Sequence, residues 1–100
     1  MREISRKAHD AFVNRKRFTS SNTKVMIDNN KDAYMFLFNN LIAYSKGNDI
    51  FISDGGYGYS VTTKDRLSAF VEIRGYKRTF IIDEKFKWDG KWIRITNKDA

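Results

Sequence analysis

The stretch AYMFLFNNLIAYSK, Ala33–Lys46, decides the fold. It contains two apolar runs rich in aromatic and aliphatic residues, separated by Asn39-Asn40. Asparagine tolerates the left-handed backbone that a two-residue hairpin loop demands, so the pattern predicts two antiparallel strands, Ala33 to Phe38 and Leu41 to Lys46. In that register Tyr34, Phe36, Phe38, Leu41 and Ala43 share one face, and Met35, Leu37, Ile42 and Tyr44 share the other. Both faces are apolar, which predicts a central hairpin covered on both sides. Helices cover one side; a curled sheet or a partner chain is expected on the other.

Working outward, Thr23 to Asp28 reads as a strand, entered from a Thr19–Asn22 loop and left through an Asn29–Asp32 turn. Upstream, Ile4, Ala8, Ala11 and Phe12 form one apolar stripe on a helix from Glu3 to about Arg15. Arg15-Lys16-Arg17 follow, cations suited to the negative end of the helix dipole. Downstream, Ile50 to Ser53 is a further strand, and Asp54-Gly55-Gly56-Tyr57-Gly58-Tyr59 is a loop. Thr62 with Asp65 resembles a capping box, Leu67, Phe70 and Val71 continue a helical stripe, and Gly75 is a C-terminal stop. Thr79 to Asp83 and Glu84 to Trp88 are extended, and Asp89-Gly90 marks a last hairpin returning through Lys91 to Thr96. The order predicts one α+β domain over residues 1–100: a mainly antiparallel sheet of about five to seven strands with two short helices.

Composition fits a single core. The 100 residues are 41% hydrophobic and 31% charged, with 15% aromatics, no cysteine and no proline. Lack of cysteine removes disulfides, thiolate metal sites and cysteine nucleophiles. No run approaches the roughly 18 apolar residues of a membrane span, so no membrane partner is expected. The net charge of +7 favours anionic partners. It gathers at the ends: residues 1–17 and 64–100 each carry +4, and the middle carries −1.

Catalytic chemistry finds no foothold. His9 is the single histidine, no G-x-S-x-G elbow is present, and the glycine run matches neither phosphate-binding fingerprint. We therefore expect no enzyme, no catalytic residue, no metal and no cofactor. The candidate binding surface has three parts. Around the last hairpin, alternation places Phe86, Trp88, Ile93 and Ile95 on the core side and Lys85, Lys87, Trp92 and Arg94 opposite, three cations around one indole. This pattern suits a base or an acidic, aromatic partner. Tyr57 and Tyr59 lie on the glycine-rich loop, a composition favoured in adaptable recognition surfaces, and at least one is expected to be exposed. Arg15, Lys16 and Arg17 form the third part.

Three stretches carry a family likeness: Ser21-Asn22-Thr23-Lys24-Val25, Leu37–Tyr44, and Ser53–Gly56 leading to Thr62-Thr63-Lys64-Asp65-Arg66-Leu67. With Ile4-Ser5-Arg6-Lys7 and Trp88-Asp89-Gly90, they resemble a group of small tailed-phage proteins. That group carries an N-T-x-V strand, a Y-L-x-x-N-x-I-A hairpin and a T-T-K-x-R-L helix start. One departure is the Gly-Tyr-Gly-Tyr run, where the group has Gly-Trp and a shorter polar stretch. The resemblance implies a phage setting and transfers no catalytic residue. The expected function is non-catalytic binding to a host protein or nucleoprotein complex in the host cell cytoplasm, as anti-restriction and anti-CRISPR inhibitors act. The alternative is direct binding of single-stranded or non-specific nucleic acid; a homodimer is a further possible partner state.

Overall fold

A computed structural model describes residues 2–56, 58–71, 74–76, 79–81, 87–89 and 91–95, the stretches 74–76, 79–81 and 87–89 by their backbone. Along the chain run α1 (Glu3–Val13), β1 (Phe18–Ser20), β2 (Thr23–Ile27), β3 (Ala33–Leu37), β4 (Asn40–Lys46), β5 (Asp49–Ile52) and α2 (Val61–Leu67). Then come β6 (Arg74–Tyr76), β7 (Thr79–Ile81), β8 (Lys87–Asp89) and β9 (Trp92–Arg94). The main sheet has the order β1-β2-β3-β4-β5-β9-β8, and β6-β7 form a separate pair. Every pairing is antiparallel. The protein is a small α+β domain, as its sequence pattern implies.

The helix α1 buries Ser5, Ala8 and Phe12 and lies against β1, β2, β3 and α2. Its predicted stripe thus meets the sheet, with Ala11 packed beside it. Arg15 closes the helix end, its guanidinium donating to the Phe12 carbonyl at 2.9 Å. The same carbonyl accepts the Arg15 amide at 3.3 Å, so Arg15 caps the end of the helix twice.

Four local expectations change. Residues Phe18–Ser20 form a strand rather than a loop, because Phe18 pairs with Val25 and packs on the core. Ser21, at φ 51°, then makes the tight turn. The N-cap of α2 is Ser60, whose hydroxyl accepts from the Thr63 amide at 3.2 Å, while Asp65 is engaged elsewhere. That helix stops at Leu67, and Phe70 and Val71 return their amides to the Leu67 carbonyl. Gly75, expected as its stop, lies in β6 opposite Phe80.

The largest change is in the central hairpin. Its turn is Phe38-Asn39, at φ 50° and 65°, so Leu37 pairs with Asn40. A bulge follows, with Phe36 opposite Leu41 but Met35 opposite Ala43, leaving Ile42 as the extra residue. The slip of the turn keeps the faces, and the bulge redistributes them. Ala33, Met35, Leu37, Ile42 and Ala43 are buried; Tyr34, Phe36, Leu41 and Tyr44 are half-exposed. The hairpin is central, since β4 is the middle strand, yet it is covered on one side.

Beneath α1, polar groups from distant stretches meet. Arg66, 2% exposed, donates to Thr23 Oγ1 at 2.8 Å, Ser5 Oγ at 3.0 Å, Asn22 Oδ1 at 3.3 Å and Asp65 Oδ2 at 3.0 Å. Ser5 Oγ in turn donates to Asp65 Oδ2 at 2.5 Å. Burial pushes the Asp65 carboxyl up, but the Ser5 hydroxyl, the Arg2 amide and the Arg66 charge outweigh it and hold the group below its ordinary value. Arg66 is shifted down by burial, opposed by Asp65. A buried charge is tolerated when it is paired and hydrogen-bonded, and Arg66 makes four hydrogen bonds, one of them to the Asp65 carboxylate. The network joins residues from the opening Ile4–Lys7 segment, the Asn22-Thr23 strand entry and the Asp65-Arg66 helix. These similarly patterned stretches therefore serve the fold.

Candidate functional site

The alternation of side chains in a strand, combined with the register, gives the sheet two adjacent cross-strand rows. One runs Val25, Met35, Ala43, Ile52, Ile93 and is buried throughout. The next runs Met26, Tyr34, Tyr44, Phe51, Arg94 and ends in register at Lys87. Opposed residues share a face, so this second row lies on the side away from α1. Its described side chains are half-buried or, for Met26, exposed.

The rings of this row pack on one another. Tyr34 and Tyr44 stack with centroids 6.3 Å apart, Tyr44 and Phe51 at 4.9 Å, and Trp92 meets Tyr44 edge-to-face at 4.8 Å. Each such pair contributes about 0.5–1.5 kcal/mol beyond burial. Cations stand at both ends. Lys24 Nζ lies 5.4 Å from the Phe36 centroid, and Arg94, 21% exposed, approaches the Asp49 carboxylate at 3.9 Å. The Tyr34 hydroxyl donates to Asp28 Oδ2 at 2.8 Å. Asp28 is held below its ordinary value by the Asp32 amide first and this hydroxyl next, and the Tyr34 phenol is raised by its hydrogen bond to Asp28 first, then by burial and the Asp28 charge.

Stacking across strands has a chemical consequence. Inserting a base between two rings needs about twice the 3.4 Å stacking rise, or roughly 7 Å. Neither stacked pair is that open. Tyr44 is flanked by a ring on each side, and the row as a whole is a half-exposed surface of rings and a methionine with flanking cations. Such a surface suits adhesion to another folded surface.

The structure distributes the predicted site residues unevenly. Trp92 and Arg94 lie on this open face, and Lys87 stands opposite Arg94 in register. The last hairpin pairs Asp89 with Trp92 and Trp88 with Ile93, a slip of the turn from the register that a two-residue Asp89-Gly90 loop implies. The slip preserves the parity of the strand, and in β9 Ile93 is buried, as is Ile95 just beyond it, while Trp92 and Arg94 are half-buried; Phe86 lies outside the described residues. Lys85 and Tyr57 lie outside the described residues. Tyr59 is in the core at 1% exposure, its phenol raised by burial and then by Asp54, which takes it off the recognition surface. Lys16 and Arg17 are exposed and Arg15 is half-buried at the end of α1.

Sequence reasoning missed Tyr34, Phe36 and Tyr44, which it assigned to covered faces, and Phe51, to which it gave no face. The available signal was the tyrosines themselves, whose hydroxyl tips favour a half-wet position. The glycine loop has a conformational explanation: Gly55, Gly56 and Gly58 have positive φ. A Cβ at Gly55 would also stand 3.2 Å from an Ile42 methyl. Among the described residues, no cluster of three His, Asp or Glu could hold a metal ion, and no helix is long and apolar enough to cross a membrane. His9 stands edge-to-face against Phe70 at 4.7 Å.

Comparison with curated proteins and with solved structures gives no significant match. The family model of the Kyanoviridae Gp96 protein, a phage family, matches residues 1–98, and the chain belongs to that family.

Proposed function

We propose that this phage protein acts by non-catalytic binding to a host macromolecular complex in the host cytoplasm. It docks the open sheet face on an acidic, apolar protein surface and so blocks or redirects a host-defence assembly. The observation that carries this reading is the row Tyr34–Tyr44–Phe51 with Trp92: half-exposed aromatics gathered around Tyr44 and packed on one another. Tyrosine, tryptophan, methionine and arginine are the side chains enriched at protein interfaces. The flanking Lys24 and Arg94 and the net charge of +7 favour an acidic partner. Trp92 among cations also supports a second reading, direct contact with single-stranded nucleic acid, but the ring spacing disfavours stacking of bases.

The test is capture of partners from host lysate on immobilised protein, with and without nuclease treatment. Retention of a defined protein set after nuclease is the expected result. Capture that disappears with nuclease moves the function to nucleic acid. A size-exclusion mass of two chains, reverting to one on Trp92→Ser, would assign the open face to a second copy.

A further inference from the structure

The end of α1 and the turn between β2 and β3 enclose a polar cleft of about 330 Å³, lined by Arg15, Arg17, Ile27, Asp28, Asn29 and Lys31. Three cations face one carboxylate there. Arg15 is fixed in place, donating to the Phe12 carbonyl at 2.9 Å and to the Gly47 carbonyl at 3.4 Å. Arg15 and Lys31 both have left-handed backbones, at φ 58° and 67°, a conformation that costs a non-glycine residue free energy and that recurs at ligand sites.

Asp28 forms no ion pair with these cations. Asp28 Oδ1 accepts the Asn30 and Asp32 amides, each at 2.9 Å, and Oδ2 accepts the Tyr34 hydroxyl at 2.8 Å. Its acceptor positions are committed to its own turn and to the aromatic row. Among the described residues, none of Arg15, Arg17 and Lys31 is paired with a carboxylate. The lining therefore carries a surplus of two positive charges, with guanidinium forks that suit a tetrahedral oxyanion.

We infer that this cleft binds a phosphate oxyanion, held by Arg17 and Lys31 around the fixed charge of Arg15. This inference is independent of docking on the sheet face; either can fail while the other stands. Free phosphate and the phosphodiester chain of a nucleic acid share this chemistry, and the test separates them.

Amide shifts are followed by NMR while sodium phosphate is added, with sodium chloride at matched ionic strength as control, and in a parallel arm with a short thymidine oligomer. The expected result is saturable shifts at Arg17, Asn29 and Lys31 with a phosphate ligand and not with chloride. The double variant Arg17→Gln, Lys31→Asn should weaken that binding about tenfold or more. Its thermal midpoint should stay unchanged, since both residues are exposed and asparagine tolerates the left-handed backbone. Saturation by inorganic phosphate assigns the site to a free phosphate group; saturation by the oligomer alone assigns it to a phosphodiester chain. Identical, unsaturable shifts with phosphate and chloride, together with oligomer binding that is absent or indifferent to the double variant, overturn the inference.

Discussion

Two neighbouring rows of the same sheet, one residue apart, have opposite fates. The row Val25, Met35, Ala43, Ile52, Ile93 is sealed, none of its members more than 2% exposed. The row Met26, Tyr34, Tyr44, Phe51, Arg94 is just as continuous and stays half-open. Apolar content does not separate them; shape and polar tips do. Small and aliphatic side chains let α1 approach closely and pack at interior density. Rings bearing hydroxyls keep one end wet and satisfy their bulk against one another. A two-faced apolar strand is thus compatible with a single covered side when one face is aromatic.

The contrast is broken most forcefully by placing a charge on each side. Leu37→Asp buries an unpaired carboxylate on the sealed side and should cost about 4 kcal/mol or more, a large share of the stability of an ordinary domain. Phe36→Asp, on the half-open side beside Lys24, should cost only about 1 kcal/mol. Equal losses in denaturant melts would mean that both sides are core.

Next in size is the buried network. Arg66→Ala leaves the Asp65 carboxylate without its buried cation and should cost about 3–5 kcal/mol, whereas Arg94→Ala, 21% exposed, should cost about 1 kcal/mol or less. A larger loss at Arg94 in the same melts would reverse the ranking of the two faces.

The pH dependence sharpens the point. Asp65 is held below its ordinary carboxyl value in the folded protein. Its contribution to stability is therefore present above the unfolded carboxyl value, near pH 4, and is lost as pH falls through the lower folded value. Asp65→Asn should lower stability at neutral pH and flatten the acid-side loss. An unchanged acid limb would show that Asp65 has no depressed value.

The smallest effect has the opposite sign. Phe38 is 64% exposed and sits at φ 50°, a backbone region that disfavours a bulky residue. Phe38→Gly should raise stability by about 0.5–1 kcal/mol. A lowered midpoint would show that the ring packs on something the fold needs.

These comparisons also mark what was legible in the sequence. The helix stripe, both main hairpins and the turn at Asn29–Asp32 follow from periodicity and turn chemistry, which are local. The Thr23–Asp28 strand and the sides of the last hairpin were legible for the same reason, since alternation survives a slip of the turn. The bulge at Ile42 was not, because no single residue there demands one; it arises from fitting β4 against both β3 and β5. That unseen residue moved Tyr44 from the face of Met35 to the face of Tyr34 and assembled the aromatic row. Likewise, Ser5, Thr23, Asp65 and Arg66 were visible as motif members, but their meeting under α1 is a matter of tertiary packing. Of the candidate site, Trp92 and Arg94 lie half-buried on the open face and Tyr59 lies in the core.

The central claim is that the open aromatic face is where a host protein docks. The direct measurement is retention of the nuclease-treated host fraction on wild type and on the Trp92→Ser, Lys24→Glu variant, each followed by a thermal melt. The account predicts retention by wild type and its loss in the variant while the melt remains cooperative. Undiminished retention by a folded variant would contradict it.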